Sequence, residues 1–125
     1  MEEVSTDEAP ASIGPFSQAI RDGDTVYVSG QGPVDRSGEI VGDDVAEQTA
    51  RTLENVDAVL RAAGGSLDDV VKATVFVRDM DAYDVVNEVY AESFSPPFPA
   101  RSAVEVRDLP IDIEVEIEVI ASIPE

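Results

Sequence analysis

The sequence predicts an α+β fold in which two amphipathic helices cover one face of a mixed β-sheet. Three observations predict it. Apolar residues recur at threes and fours across 45–63 and 83–94; β-branched or alternating runs fill 70–77 and the C-terminal third; and the order ββ-α-β-α-ββ separates the helices by strands. A length of 125 residues suits one domain, 1–125, with enough chain to bury one core.

The elements follow in chain order. Ile13 to Ile20 and Thr25 to Ser29 flank Arg21-Asp22-Gly23-Asp24, whose Asp-Gly is a hairpin signal because glycine supplies a positive φ cheaply. Gly30-Gln31-Gly32-Pro33 ends that hairpin, and Asp35-Arg36-Ser37-Gly38 reads as a second turn before a short extended Glu39-Ile40-Val41. From Val45 the period becomes helical through Leu53, Val56, Val59, Leu60 and Ala63, with Asp43 or Asp44 placed to cap the start and Gly64-Gly65 the end. Val70 to Val77 reads as a buried strand. A second helix carries Tyr83, Val86, Val89, Tyr90 and Phe94 on its apolar stripe, with Asp79 or Asp81 as cap and Ser95-Pro96-Pro97 as stop. Arg101 to Arg107 and Ile111 to Val119 alternate as the last two strands, interrupted by Leu109-Pro110. If the apolar faces of those strands meet the helices, Arg101, Glu116 and Glu118 all lie on the opposite face of the sheet.

Composition excludes several chemistries. There is no cysteine and no histidine, which rules out disulfides, thiolate zinc sites, a Cys nucleophile and the commonest general base. Catalysis must use carboxylates, Arg, hydroxyls, amides or backbone. Acidic residues outnumber basic ones 27 to 8 for a net charge of −19, and this argues against nucleic-acid binding, whose affinity comes largely from phosphate neutralisation by Lys and Arg. A hydrophobic content of 43% argues equally against a disordered acidic tail. The charge fits a folded surface in a salt-rich cytoplasm, where screening at about 1 M shrinks to about 3 Å and self-repulsion fades. A halophilic source is therefore expected, with a melting temperature that rises toward multimolar KCl. No apolar run approaches the roughly 18–20 residues that cross a bilayer, and Met1-Glu2-Glu3 is acidic where a leader would be basic, so a cytoplasmic protein without membrane contact is expected.

Candidate site residues are few. Glu114, Glu116 and Glu118 place like charges on one strand face about 6–7 Å apart, an arrangement that water, salt or a cation must relieve. Arg101 starts a strand beside a Pro-rich turn, where its planar fork can meet an incoming carboxylate; it is equally an available structural partner for Glu116. Ser29-Gly30-Gln31-Gly32 ends a strand and can bring backbone N–H groups close to a ligand, or serve as a plain turn. Asn87 and Tyr90 fit helix face and core alike. Phe16, Ser17 and Gln18 are individually uninformative.

Together these stretches resemble the RidA/YjgF family of reactive-intermediate deaminases. The resemblance is carried by Ala9-Pro10, Ile13-Gly14-Pro15-Phe16-Ser17-Gln18-Ala19, Val28-Ser29-Gly30-Gln31, Gln48-Thr49, Asn55-Val56, Ala62-Ala63-Gly64 and Val70 to Val77. It continues through Val86-Asn87 with Tyr90, Pro99-Ala100-Arg101-Ser102, Leu109-Pro110 and Val115 to Ala121, in order and nearly without gaps. It implies a chorismate-mutase-like subunit in a homotrimer, sheets facing inward, with three sites between subunits and no metal or cofactor. The implied reaction is hydrolysis of 2-imino or enamine acids, such as 2-aminoacrylate and 2-iminopropanoate, to pyruvate and ammonia, which protects pyridoxal-phosphate enzymes. By resemblance Arg101 binds the substrate carboxylate, Glu116 positions or activates water, and Phe16, Ser29, Gly30 and Asn87 line the site.

Two positions depart from the family pattern. Phe16 stands where the deaminases commonly have Tyr, which removes a hydroxyl, and Ala103 stands where many members carry Cys. Members of the family are also described as non-catalytic ligand sensors or chaperones, and as ribonucleases or translation inhibitors. The net charge of −19 disfavours the RNA-directed roles.

Overall fold

The computed structural model describes residues 1–125 as six strands and two helices: β1 (Glu2–Val4), β2 (Ala19–Asp22), β3 (Thr25–Gln31), α1 (Val45–Ala62), β4 (Val70–Val77), α2 (Tyr83–Ser93), β5 (Ala100–Glu105) and β6 (Val115–Ser122). The strands form one sheet in the order β1-β2-β3-β6-β4-β5. All neighbours are antiparallel except β4 and β5, which are parallel and joined through α2. The mixed sheet and helical layer are those expected of an α+β fold. Helix α1 packs on β3, β6 and α2.

Local chemistry explains the helix boundaries. Of the two candidate caps, Asp44 is the one used: its carboxylate accepts the Glu47 N–H, while Glu47 reaches back to the Asp43 N–H. At the other end Gly64 turns left-handed (φ 91°), and the N–H groups of Gly64 and Gly65 close on the carbonyls of Arg61 and Leu60. Asp79 caps a 3₁₀ turn, Met80–Ala82, that runs directly into α2. The second candidate, Asp81, supplies only the backbone N–H that Asp79 captures.

Twenty-two buried residues form one core cluster. Leu53, Val56, Val59 and Leu60 of α1 and Val86 and Tyr90 of α2 meet the alternating residues of β3, β4 and β6. Each fully buried Val or Leu contributes roughly 1.5–3 kcal/mol. The polar residues buried on α1 anchor loops. Asn55 Nδ2 donates to the carbonyls of Gly32 and Val34, and Gln48 accepts the Glu114 N–H while donating to the Gly42 carbonyl. The loops after β3 and before β6 are thereby held at one end of the sheet.

Several expectations are corrected. β1 was not foreseen; it adds an edge strand on β2. The first hairpin strand starts at Ala19 rather than Ile13, because the Gln18 amide ties residues 6–10 through four hydrogen bonds and Gly14-Pro15 bends the chain. The short extended Glu39-Ile40-Val41 joins no strand of the sheet and contributes a single bridge, Ile40 to Val34. β6 begins at Val115 rather than Ile111. There the alternating pattern runs on into a loop held by Arg78, whose guanidinium meets Asp112 at 2.5 Å and whose N–H donates to the Glu114 carbonyl.

The largest correction concerns β5. Ala73, Val75 and Val77 face the helices, and the parallel register sets Arg101 beside Ala73, Ala103 beside Val75 and Glu105 beside Val77. Register partners in a parallel pair share a face. Arg101 therefore lies on the helix side, whereas Glu116, paired with Phe76, and Glu118, paired with Thr74, lie on the open side. β5 is an edge strand, so its apolar Val104 is free to point outward, where it is 41% exposed. Its alternation does not report the core.

Candidate functional site

The site residues fall into two groups on opposite faces of the sheet. The first is built at a β-bulge. Between Val28 and Gln31 the β3–β6 register slips, so that Ser29 and Gly30 together span one position of β6. A Cβ at Gly30 would lie 2.9 Å from Cδ of Glu116, so only glycine leaves room for this carboxylate to lie along β3. Glu116 is half-buried, and burial raises its pKa above the usual carboxylate value, with the neighbouring Glu118 charge pushing the same way.

Glu116 opens into a cavity of about 410 Å³. Phe16, Pro10, Ile13 and Ile111 give it apolar walls beside Gly30, and two charged groups line it, Glu116 and Arg36. The expected residues Phe16, Gly30 and Glu116 are thus brought together. Ser29 is not in the cavity wall: its hydroxyl donates to the Ser17 carbonyl at 2.6 Å and its N–H to the Gln18 carbonyl, tying the Phe16 segment to β3. A larger hollow of about 690 Å³ lies elsewhere, between Leu67–Val71 and Phe94–Ala100. Its only charged groups are Asp68 and Asp69 and none of the expected site residues lines it, so the candidate site is placed at the smaller cavity.

The second group surrounds Arg101 on the helix side. Its Nη2 donates to the Tyr83 hydroxyl at 2.8 Å. Its Cζ sits 4.8 Å from the centroid of the Tyr90 ring and 5.5 Å from that of Tyr83. Tyr83, Asn87 and Tyr90 fall at i, i+4 and i+7, one stripe of α2. Two polar atoms on that stripe, Asn87 Oδ1 and the Tyr90 hydroxyl, are buried without a hydrogen-bond partner. Burial raises the Tyr90 pKa, and the Arg101 charge opposes the rise. Tyr83 was not among the expected site residues; its spacing from Asn87 and Tyr90 was the available signal.

Arg101 also differs from the other arginines in its partners. Arg36, Arg51, Arg61 and Arg78 each lie within 4.0 Å of a carboxylate, Arg21 is held by the backbone carbonyls of Gly23, Ala63 and Ile123, and Arg107 makes no side-chain hydrogen bond or ion pair, whereas Arg101 is bonded to a phenol. Chemically, one group offers a guanidinium for a small anion, and the other a carboxylate suited to exchanging protons with water.

A sheet of this order with two helices on one face, a glycine bulge over a buried glutamate and an aromatic-seated arginine defines a class, and comparison with known proteins specifies it. The family model described as Endoribonuclease L-PSP matches residues 6–123. A RutC family protein of Pyrococcus horikoshii is 51% identical over 121 residues, covering 96% of each chain. The 2-iminobutanoate/2-iminopropanoate deaminase of Salmonella typhimurium is 46% identical over 121 residues, covering 94% of each chain. Among solved structures, RidA from the Antarctic bacterium Psychrobacter sp. superimposes with a TM-score of 0.95 at 44% identity, over 98% of this chain and all of that one. The chain belongs to the RidA/YjgF family.

Proposed function

We propose that this protein hydrolyses small 2-imino acids and their enamine tautomers to 2-oxo acids and ammonia, as a homotrimer whose sites lie between subunits. One observation carries the reading: in a chain of net charge −19, a half-buried guanidinium is held by tyrosines instead of by one of 27 acidic side chains. Such a group is a receptor for a carboxylate brought in from outside. The opposite placement of Arg101 and Glu116 supports the trimer, because a single chain cannot bring both to one substrate. A second copy, packed on the open face, joins Arg101 of one subunit to Glu116 of the partner subunit. That face carries the exposed Tyr27 and Val104, which a neighbour would cover.

In this reading Arg101 clamps the carboxylate and so orients the adjacent C=N carbon. Glu116 holds a water against that carbon, takes its proton as the C–O bond forms, and returns it to nitrogen. The carbinolamine so formed then gives its hydroxyl proton through Glu116 to the amine as the C–N bond breaks and the C=O bond forms, releasing ammonia and leaving the 2-oxo acid. Phe16, Gly30 and Asn87 shape the cleft, and Ser29 acts through the backbone it ties. Removing 2-aminoacrylate in this way would spare pyridoxal-phosphate enzymes. An imine hydrolyses unaided, so positioning and one proton shuttle suffice without His or Cys.

The test is the loss of 2-iminopropanoate generated in situ and trapped competitively with semicarbazide, in multimolar KCl. Wild type should accelerate the loss, Arg101→Ala should abolish the acceleration, and Glu116→Ala should reduce it by roughly tenfold to hundredfold, the scale of general acid–base help. A folded wild-type trimer that matches buffer across several imino acids would leave the non-catalytic ligand-binding role.

A further inference from the structure

We infer that Tyr83 is a positioning residue for carboxylate recognition, acting through Arg101; the inference rests on the reading of Arg101 as the substrate clamp. An arginine side chain has several rotatable bonds, and ordering it on binding costs conformational entropy. A guanidinium seated in advance avoids that cost. Here the seat is two-sided: the Tyr90 ring lies under Cζ at 4.8 Å, and the Tyr83 hydroxyl accepts from Nη2 at 2.8 Å. The ring alone would leave the guanidinium free to spin in its plane. The hydroxyl removes that freedom, and because an arginine has five N–H donors, four remain for an incoming anion.

The phenol is itself held in place. Tyr83 is the first residue of α2, entered through the Met80–Ala82 turn that Asp79 caps. The Met80 N–H donates to Oε1 of Glu105 at 2.8 Å, and Glu105 lies on the same face of β5 as Arg101. The strand that carries the guanidinium therefore also moors the start of the helix that carries the hydroxyl. Glu105 is drawn to that backbone N–H, leaving the guanidinium to the phenols.

The substrate carboxylate keeps its single negative charge from imine to 2-oxo acid. Whatever strengthens its clamp therefore stabilises ground and transition states alike and is read in KM, not kcat. Tyr83→Phe keeps the ring and the packing and removes only the oxygen. It should raise KM for 2-iminobutanoate, and the calorimetric Kd for the product analogue 2-oxobutanoate, by about tenfold, in line with a lost hydrogen bond to a charged group. kcat should stay within about twofold and the melting temperature should be unchanged. An unchanged KM and Kd overturn the inference, as does a fall in kcat together with melting temperature, which would mark a purely structural tyrosine. If Arg101→Ala binds 2-oxobutanoate as tightly as wild type, the clamp reading itself fails, an outcome distinct from a silent Tyr83→Phe.

Discussion

Arg101 and Glu116 sit on opposite faces of one sheet, the first in register with Ala73 and the second with Phe76, positions three apart on β4 that point in opposite directions. No rotamer change within a chain can put both on one small substrate. If the protein is a deaminase that uses both, its sites join different subunits.

That consequence is testable by complementation. Chains carrying Arg101→Ala and chains carrying Glu116→Ala should each be inactive or impaired alone. In a cyclic trimer with heterologous interfaces, every mixed assembly contains one interface that pairs the intact Arg101 with the intact Glu116. Equal co-assembly should therefore restore about a quarter of the wild-type sites. Activity at that level, from subunits unfolded and reassembled together, supports split sites; mixtures no better than the sum of the two variants would show that both residues serve from one chain.

Glu116 is held where it is by the absence of a side chain on Gly30. Replacing that glycine by alanine places a methyl group against Cδ and Cγ of the glutamate, and the carboxylate must swing away from β3. Because Gly30 has an ordinary backbone φ, the change brings steric displacement without left-handed strain. Gly30→Ala should cut kcat by at least about tenfold, on the scale of a displaced acid–base group, while KM for the carboxylate anchored at Arg101 moves little. Steady-state kinetics beside a thermal melt checks this, and an unaltered kcat would separate Glu116 from catalysis.

The legibility of this chain in its sequence varies with burial. α1 and β4 were readable to within a residue because both are buried along a regular stripe, so period and structure coincide. β5 lies at the sheet edge, where nothing covers Val104; its apolar alternation pointed the wrong way and carried Arg101 to the wrong face with it. The run from Ile111 misled for a related reason: Ile113 is buried from a loop, against Gly32, so an alternating pattern survives where no ladder exists. Arg101, Glu116 and Gly30 stood out in the sequence as candidates with plain structural alternatives, which only the family resemblance weighed against them, and Tyr83 was hidden because its ring suits a helix stripe equally well. Its hydroxyl gains meaning only when the parallel register of β4 and β5 brings Arg101 beneath α2.

Glu118 gives a handle on the proton-transfer group without touching it. Its charge is the second cause, after burial, of the raised Glu116 pKa, and the two side chains lie on the same face of β6. A base must be ionised, so activity should fall as pH drops through the Glu116 pKa. Glu118→Gln removes the like charge, lets Glu116 ionise more readily and moves the acid limb of the kcat profile to lower pH. The two charges act on each other through water, so in molar salt the shift should vanish. pH–rate profiles of wild type and Glu118→Gln at low and high KCl measure it. A limb that stays put at low salt, or moves upward, would mean that the ionisation limiting the reaction belongs to another group.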